Sequence, residues 1–180
     1  MDSRFDFTPT AVDGVFIVDI KPRADERGYF ARGFCSQDFQ NAGLCGSFIQ
    51  ANLSFNHAAG TLRGMHWQDS PHAEVKVVRC TRGAIFDVAL DLRRSSPTYL
   101  KWAGVELNAE NGRSLYIPEG CAHGYLTLVP GAEVHYLVSA LYAPSHDRGG
   151  RWDDPAFGIV WPDKPAIISK RDEEHPLWQS

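Results

Sequence analysis

Three side chains in this sequence have the types and settings for acid–base chemistry: His66, Lys76 and Tyr136. His66 lies in Thr61-Leu62-Arg63-Gly64-Met65-His66-Trp67-Gln68, which reads as a strand. Simple alternation puts Leu62, Gly64 and His66 on one face and Arg63, Met65 and Trp67 on the other. A bulge at Gly64 would change this and bring Arg63 and His66 to one ligand. A lone strand histidine is also, and more often, a hydrogen-bonded side chain in a polar niche. Lys76 and Arg79 interrupt the apolar run Val75–Cys80. Such a cation either snorkels at a sheet edge or faces a pocket, where it binds phosphate or a developing oxyanion. The strand alone leaves both open. Tyr136, in Glu133–Leu137, is a core or cross-strand residue or, inside a barrel, a general acid.

Ile117-Pro118-Glu119-Gly120-Cys121-Ala122-His123-Gly124 has the PxGxxH spacing of a turn that delivers a histidine into a strand. It resembles the second motif of cupin barrels. Metal-binding cupins also carry HxH in their first motif, but here His66 is followed by Trp67 and Gln68. Two histidines without a third or fourth ligand make a poor metal site, so no metal is expected. The run Asp147–Pro155 reads as a structural loop with internal Arg–Asp pairs. No GxSxG, GxGxxG or P-loop is present, and none of the cysteines sits in a nucleophile motif.

These residues need a scaffold, and the pattern around them is that of strands. Short runs rich in Val, Ile, Phe, Tyr and Trp are bounded by Gly, Pro, Asn or Asp. The expected strands are Val15–Ile20, Tyr29–Phe34, Ser47–Phe55, Thr61–Trp67, Val75–Thr81, Ala84–Asp91, Tyr99–Leu107, Arg113–Ile117, Gly124–Leu128 and Glu133–Leu141. This predicts an all-β jelly-roll sandwich or barrel. Two short helices are expected: one capped by Ser36 and ended by Gly43, and a turn starting at Ser169 with a capping-box pattern through Asp172. Ala143–Pro165 is expected to be a long ordered loop. The length, 180 residues, fits a single domain spanning 1–180, with an N-terminal strand region and a C-terminal loop and helix tail.

The hydrophobic content of 43% and charged content of 22% are ordinary for a globular chain. A net charge of -4 argues against nucleic acid or an anionic membrane as the main partner, though local arginines can still hold a small anion. Cys35, Cys45, Cys80 and Cys121 form no CxxC pair and read as free thiols of a reducing compartment. The start, MDSRFDFTPT, lacks a signal-peptide pattern, and no apolar run approaches a membrane helix. A soluble, cytoplasmic protein is expected.

Seven strings, in order from about Gly14 to Asp172, together resemble the dTDP-4-dehydrorhamnose 3,5-epimerase family. They are Asp25–Gly28, Gln50–Ser54, Leu62–His66, Lys76–Cys80, Phe86–Asp91, Ile117–Gly124 and Arg151–Pro155. The resemblance implies a cupin-type jelly-roll barrel with a few short peripheral helices, no cofactor, and a homodimer. It implies a nucleotide-diphosphate 4-keto-6-deoxy sugar as substrate, inverted at C3, C5 or both. It assigns His66 as base, Asp172 as the carboxylate orienting it, Lys76 beside the ketone, and Tyr136 as proton donor from the opposite sugar face. Arg63 and His123 are further pocket residues, and Asp87 is the buried aspartate. Arg27, Gln50 and Asn52 belong to the nucleotide end. In such chemistry a neutral histidine takes the proton beside a ketone. One well-placed cation on the enolate oxygen is worth about 3–4 kcal/mol.

The sequence also departs from the family pattern. Arg32 stands where relatives carry a glutamate, Trp67 replaces the usual tyrosine after the base, and Leu137 replaces a lysine. Arg32, an obligate donor in place of an acceptor, is expected among the substrate-binding residues and leaves the nucleotide open among thymidine, guanosine and cytidine. A single-carbon epimerase on a GDP- or CDP-linked sugar, and a metal-dependent cupin enzyme, are the alternatives.

Overall fold

The computed structural model describes residues 3–179, so residues 1, 2 and 180 of the expected domain lie outside it. Two sheets face each other as a cupin-type jelly roll. The first sheet is built from β1 (Phe5–Pro9), β2 (Phe16–Ile20), β5 (Gln50–Asn56), β7 (Lys76–Arg82), β10 (Ser114–Ile117) and β12 (Ala132–Val138). Their order is β1-β2-β10-β7-β12-β5, antiparallel throughout. The second sheet contains β6 (Thr61–Gln68), β8 (Ala84–Asp91), β9 (Trp102–Asn108), β11 (Cys121–Thr127) and β13 (Asp147–Gly149), with β14 (Ile167–Ile168) parallel to β6. Its order is β13-β6-β11-β8-β9. A separate hairpin is formed by β3 (Arg23–Asp25) and β4 (Gly28–Phe30), and two short helices are α1 (Ser36–Asn41) and α2 (Lys170–Glu173).

The core between the sheets draws Val78, Leu115, Ile117 and Val134 from one side and Ile85, Ala89, Leu107 and Tyr125 from the other. Each fully buried aliphatic of this kind contributes about 1.5–3 kcal/mol. The outer face of the second sheet is not left to solvent. Met65, Val88 and Leu90 pack there against Phe157, Trp161 and Trp178. That explains why β8 reads as a nearly unbroken apolar run, and why the Gly- and Pro-rich stretch Ala143–Pro165 is ordered. On the first sheet's outer face, Phe39 of α1 stacks edge-on against Phe5 and Phe7 at centroid separations of 5.6 and 5.2 Å.

Most expected strands form, but some details differ. The expected strand Tyr29–Phe34 survives only as Gly28–Phe30 in the outlying hairpin, where Tyr29 is 63% and Phe30 75% exposed. Helix α1 starts at Ser36 itself, with Cys35 in the capping position and no side-chain cap. Its end is as expected, with Gly43 at a φ of +76°. The strand expected from Tyr99 starts instead at Trp102, because the preceding residues turn through Leu100 at a φ of 60°. Strand β1 lies outside the expected strands although Phe5, Asp6, Phe7 and Thr8 alternate apolar and polar, whereas β13 and β14, of three and two residues, are too short for alternation to show.

Candidate active site

The bulge at Gly64 is present. His66 pairs with His123 and Arg63 with Tyr125, so two residues of β6 face only Gly124 of β11. The extra residue turns Arg63 toward the same side as His66, and both line one cavity of about 440 Å³. Gly64 has a φ of +120°, and a Cβ there would meet the Cα of Gly124 at 2.5 Å. Only glycine fits this close crossing of two strands.

The cavity opens between the two sheets. From the second sheet come Arg63 and His66 of β6 and His123 and Tyr125 of β11. Lys76 of β7 and Tyr136 of β12 face them from the first sheet. Ile168, Ser169, Arg171 and Asp172 close one side. An adjoining space of about 300 Å³ shares His66, Lys76 and Tyr136 and continues to Gln50, Asn52, Glu74 and Asp147.

His66 Nε2 lies 2.7 Å from Asp172 Oδ1. The other carboxylate oxygen accepts the Gly64 N–H at 3.3 Å. Burial raises the Asp172 pKa, but the hydrogen bond and charge of His66, with help from Gly64 and Ser169, outweigh it and hold the carboxyl below its usual range. An ionised carboxylate only accepts, so in the neutral imidazole of His66 it is Nε2 that carries the proton, and Nδ1 keeps the free lone pair. The capping-box reading of Asp172 is half right. Its backbone N–H donates to the Ser169 hydroxyl at 3.1 Å, which caps α2, while its carboxylate is spent on His66 and Gly64.

The partner groups are equally fixed. Lys76 is 9% exposed, and its Nζ lies 3.0 Å from Glu74 Oε1. Because β7 is interior to its sheet, the edge-snorkelling alternative does not apply to Lys76. Arg79, three residues on, points to the other face and bonds Ser114 Oγ at 3.0 Å. Tyr136 is half-buried, and burial, with Tyr125 and Glu74 nearby, pushes its phenol above the ordinary value. It therefore stays protonated at neutral pH. His123 Nε2 meets Asp87 Oδ1 at 2.8 Å, and burial pushes the fully enclosed Asp87 carboxyl up against the opposing pull of His123 and Lys76. Arg63 donates to the Asn56 amide oxygen at 2.9 Å rather than to a carboxylate, so its charge is unspent.

Arg27 and Arg32 are not brought to this cavity. Arg27 sits at the hairpin tip, paired with Asp25, and its side chain is 82% exposed. Arg32 lies beside Cys35 and Asp38, at 3.7 Å from each. Several lining groups escaped the sequence reading. Tyr125 bonds Ser54 Oγ at 2.9 Å, and Glu74 holds Lys76. Arg171 pairs with Asp147 at 2.6 Å, so the loop around Asp147, expected to be only structural, also borders the site. The signal for Arg171 was its place directly before Asp172; Glu74 sits outside any strand and offers none. Burial pushes the Cys80 and Cys121 thiols to about 11 and about 12, which keeps both as inert thiols. The donor atoms of His66, Asp172 and His175 lie within 4.8 Å of one another, a spacing that can accept a metal ion.

Residues 9–180 match the family profile described as dTDP-4-dehydrorhamnose 3,5-epimerase. A relative of that name from Sinorhizobium fredii is 46% identical over 160 residues, covering 87% of this chain and 82% of its own. The crystal structure of dTDP-4-dehydrorhamnose 3,5-epimerase from Elizabethkingia anophelis superposes with a TM-score of 0.94 at 34% identity, covering 97% of both chains. The Bacillus anthracis enzyme of the same name, bound to TDP and PPi, gives 0.91 at 38% identity over 97% of this chain and 99% of that one.

Proposed function

This chain belongs to the dTDP-4-dehydrorhamnose 3,5-epimerase family, and we propose that it inverts C3 and C5 of a dTDP-linked 4-keto-6-deoxy sugar in deoxysugar biosynthesis. It is an isomerase. One observation carries the mechanism: an imidazole oriented by a buried carboxylate faces a protonated phenol and an ammonium group across one cavity.

The ketone at C4 makes the protons on C3 and C5 removable. His66 takes one through the lone pair left free by its bond to Asp172. As the proton leaves, charge collects on the ketone oxygen, and Lys76 stabilises it. His123, fixed by Asp87, offers a second polar group to the same region. Tyr136 returns a proton from the opposite wall, which inverts the carbon. Exchange with solvent takes the proton from His66 and returns one to Tyr136, and the same two residues then repeat the sequence at the second carbon. Only protons move, so the chemistry has no use for a redox cofactor. Arg63, with no carboxylate partner among the described residues, suits the diphosphate, and Gln50 and Asn52 in the adjoining space suit the nucleoside.

The chain would act as a homodimer. The β3–β4 hairpin carries Arg27 away from its own cavity and exposes Tyr29 and Phe30, and edge strand β5 exposes Leu53 and Phe55. These features support a second copy docking there, with the hairpin crossing to it. No described helix is long and apolar enough to span a membrane, and all the cysteines are free thiols. Both facts agree with a cytoplasmic location.

The direct test is incubation with dTDP-, GDP- and CDP-linked 4-keto-6-deoxy sugars in heavy water, read by NMR. The proposal expects deuterium at C3 and C5 of the dTDP sugar. Exchange at one carbon only would select the single-site reading, and exchange at neither would overturn the activity.

A further inference from the structure

The mechanism above uses His66 and Asp172 but has no task for His175, although the tail delivers it to the same spot. His175 Nε2 is shielded from solvent, has no hydrogen-bond partner among the described residues, and stands 3.9 Å from Asp172 Oδ1. Its ring lies directly over Gly149 of β13, where any Cβ would overlap it. It meets the His66 ring edge-on, with centroids 6.1 Å apart. A buried imidazole nitrogen without a partner is a costly arrangement unless something binds it.

We propose that His66, Asp172 and His175 form an inhibitory site for a divalent transition ion of the Zn²⁺ class. Two imidazoles and one carboxylate are a known three-ligand set for zinc, with the fourth position left to water. Ligand atoms about 2.0–2.1 Å from the ion stand roughly 3.3 Å apart in a tetrahedral site. Here the two neighbouring separations are 2.7 Å and 3.9 Å. An ion entering between them therefore opens one gap and closes the other by about 0.6 Å each. Hard, oxygen-seeking Mg²⁺ is a poor match for two imidazoles.

Inhibition follows from the tautomer. In the metal-free site the single proton of neutral His66 is on Nε2, held by Asp172, and Nδ1 is free to act as base. A metal on Nε2 displaces that proton, which returns to the ring at Nδ1. No proton is lost overall, but the lone pair that would take the substrate proton is gone. This consequence rests on the assignment of His66 as the base, whereas the site itself does not.

The test uses tag-free protein, Zn²⁺, and the variants His175→Ala and His175→Gln. Calorimetry should show one Zn²⁺ bound by the wild type, and Mg²⁺ should not replace it. Co²⁺ in its place should give the intense visible bands of a tetrahedral centre. Zn²⁺ should suppress deuterium exchange into substrate. Both variants should keep their metal-free exchange rate within about twofold, yet need about tenfold or more Zn²⁺ for the same suppression, the scale on which metal sites respond even to lost outer partners. A wild type that binds no Zn²⁺, or variants that bind it equally well, would overturn the site. Binding that depends on His175 but leaves exchange untouched would overturn the inhibitory half together with His66 as base.

Discussion

Asp172 serves two structures with different atoms. Its N–H closes the start of α2, and its carboxylate holds the imidazole of His66. Asp172→Asn keeps the backbone cap but replaces an acceptor with a group that also donates, which favours the wrong His66 tautomer. Exchange should fall on the order of 10³–10⁴-fold, as in other histidine–carboxylate pairs, with little change in the circular dichroism spectrum. The stability consequence has a definite sign. The Asp172 pKa is lowered in the folded protein, so its contribution is full above the unfolded carboxyl value of about 3.9 and is lost as pH falls through the lower folded value. The unfolding free energies of wild type and Asp172→Asn should therefore differ above the unfolded carboxyl value and converge as pH falls below about 4. A gap that stayed undiminished well below that pH would contradict the pairing.

At the scale of the element, β6 does the positioning. The glycine at 64 suggested a bulge from sequence alone, because Arg63 and His66 cannot share a face under strict alternation. The structure supplies the reason glycine is required, which is the close approach of β11. Gly64→Ala should lose about 3 kcal/mol or more, from strain at positive φ and overlap with the facing backbone. Denaturant titration would measure it, and a loss under about 1 kcal/mol, the scale of a well-tolerated swap, would mean the bulge is not held as described. Lys76 was ambiguous from its strand, since the choice between an edge cation and a pocket cation depends on which strands flank β7. That ordering, β10-β7-β12, joins segments far apart in sequence. Glu74 and Asp147 were illegible for the same reason, because nothing local to them indicates the cavity they border.

At the scale of the whole molecule, the barrel and its central residues could be read because strand alternation and the seven strings agree. The hairpin could not be placed, because its apolar residues face outward and have no core within this chain. In the proposed dimer a partner copy gives them one. Sedimentation should find a dimer, and Arg27→Ala should weaken substrate binding while leaving the dimer intact; a monomer at working concentration would contradict this. The proposed inversion depends on the two walls of the cavity acting on opposite faces of the sugar. Its most direct measurement is solvent deuterium exchange alongside net inversion, followed by NMR in wild type, His66→Asn and Tyr136→Phe. His66→Asn should abolish exchange, and Tyr136→Phe should slow net inversion far more than the first deprotonation. Undiminished exchange in His66→Asn would contradict the assignment of His66 as base.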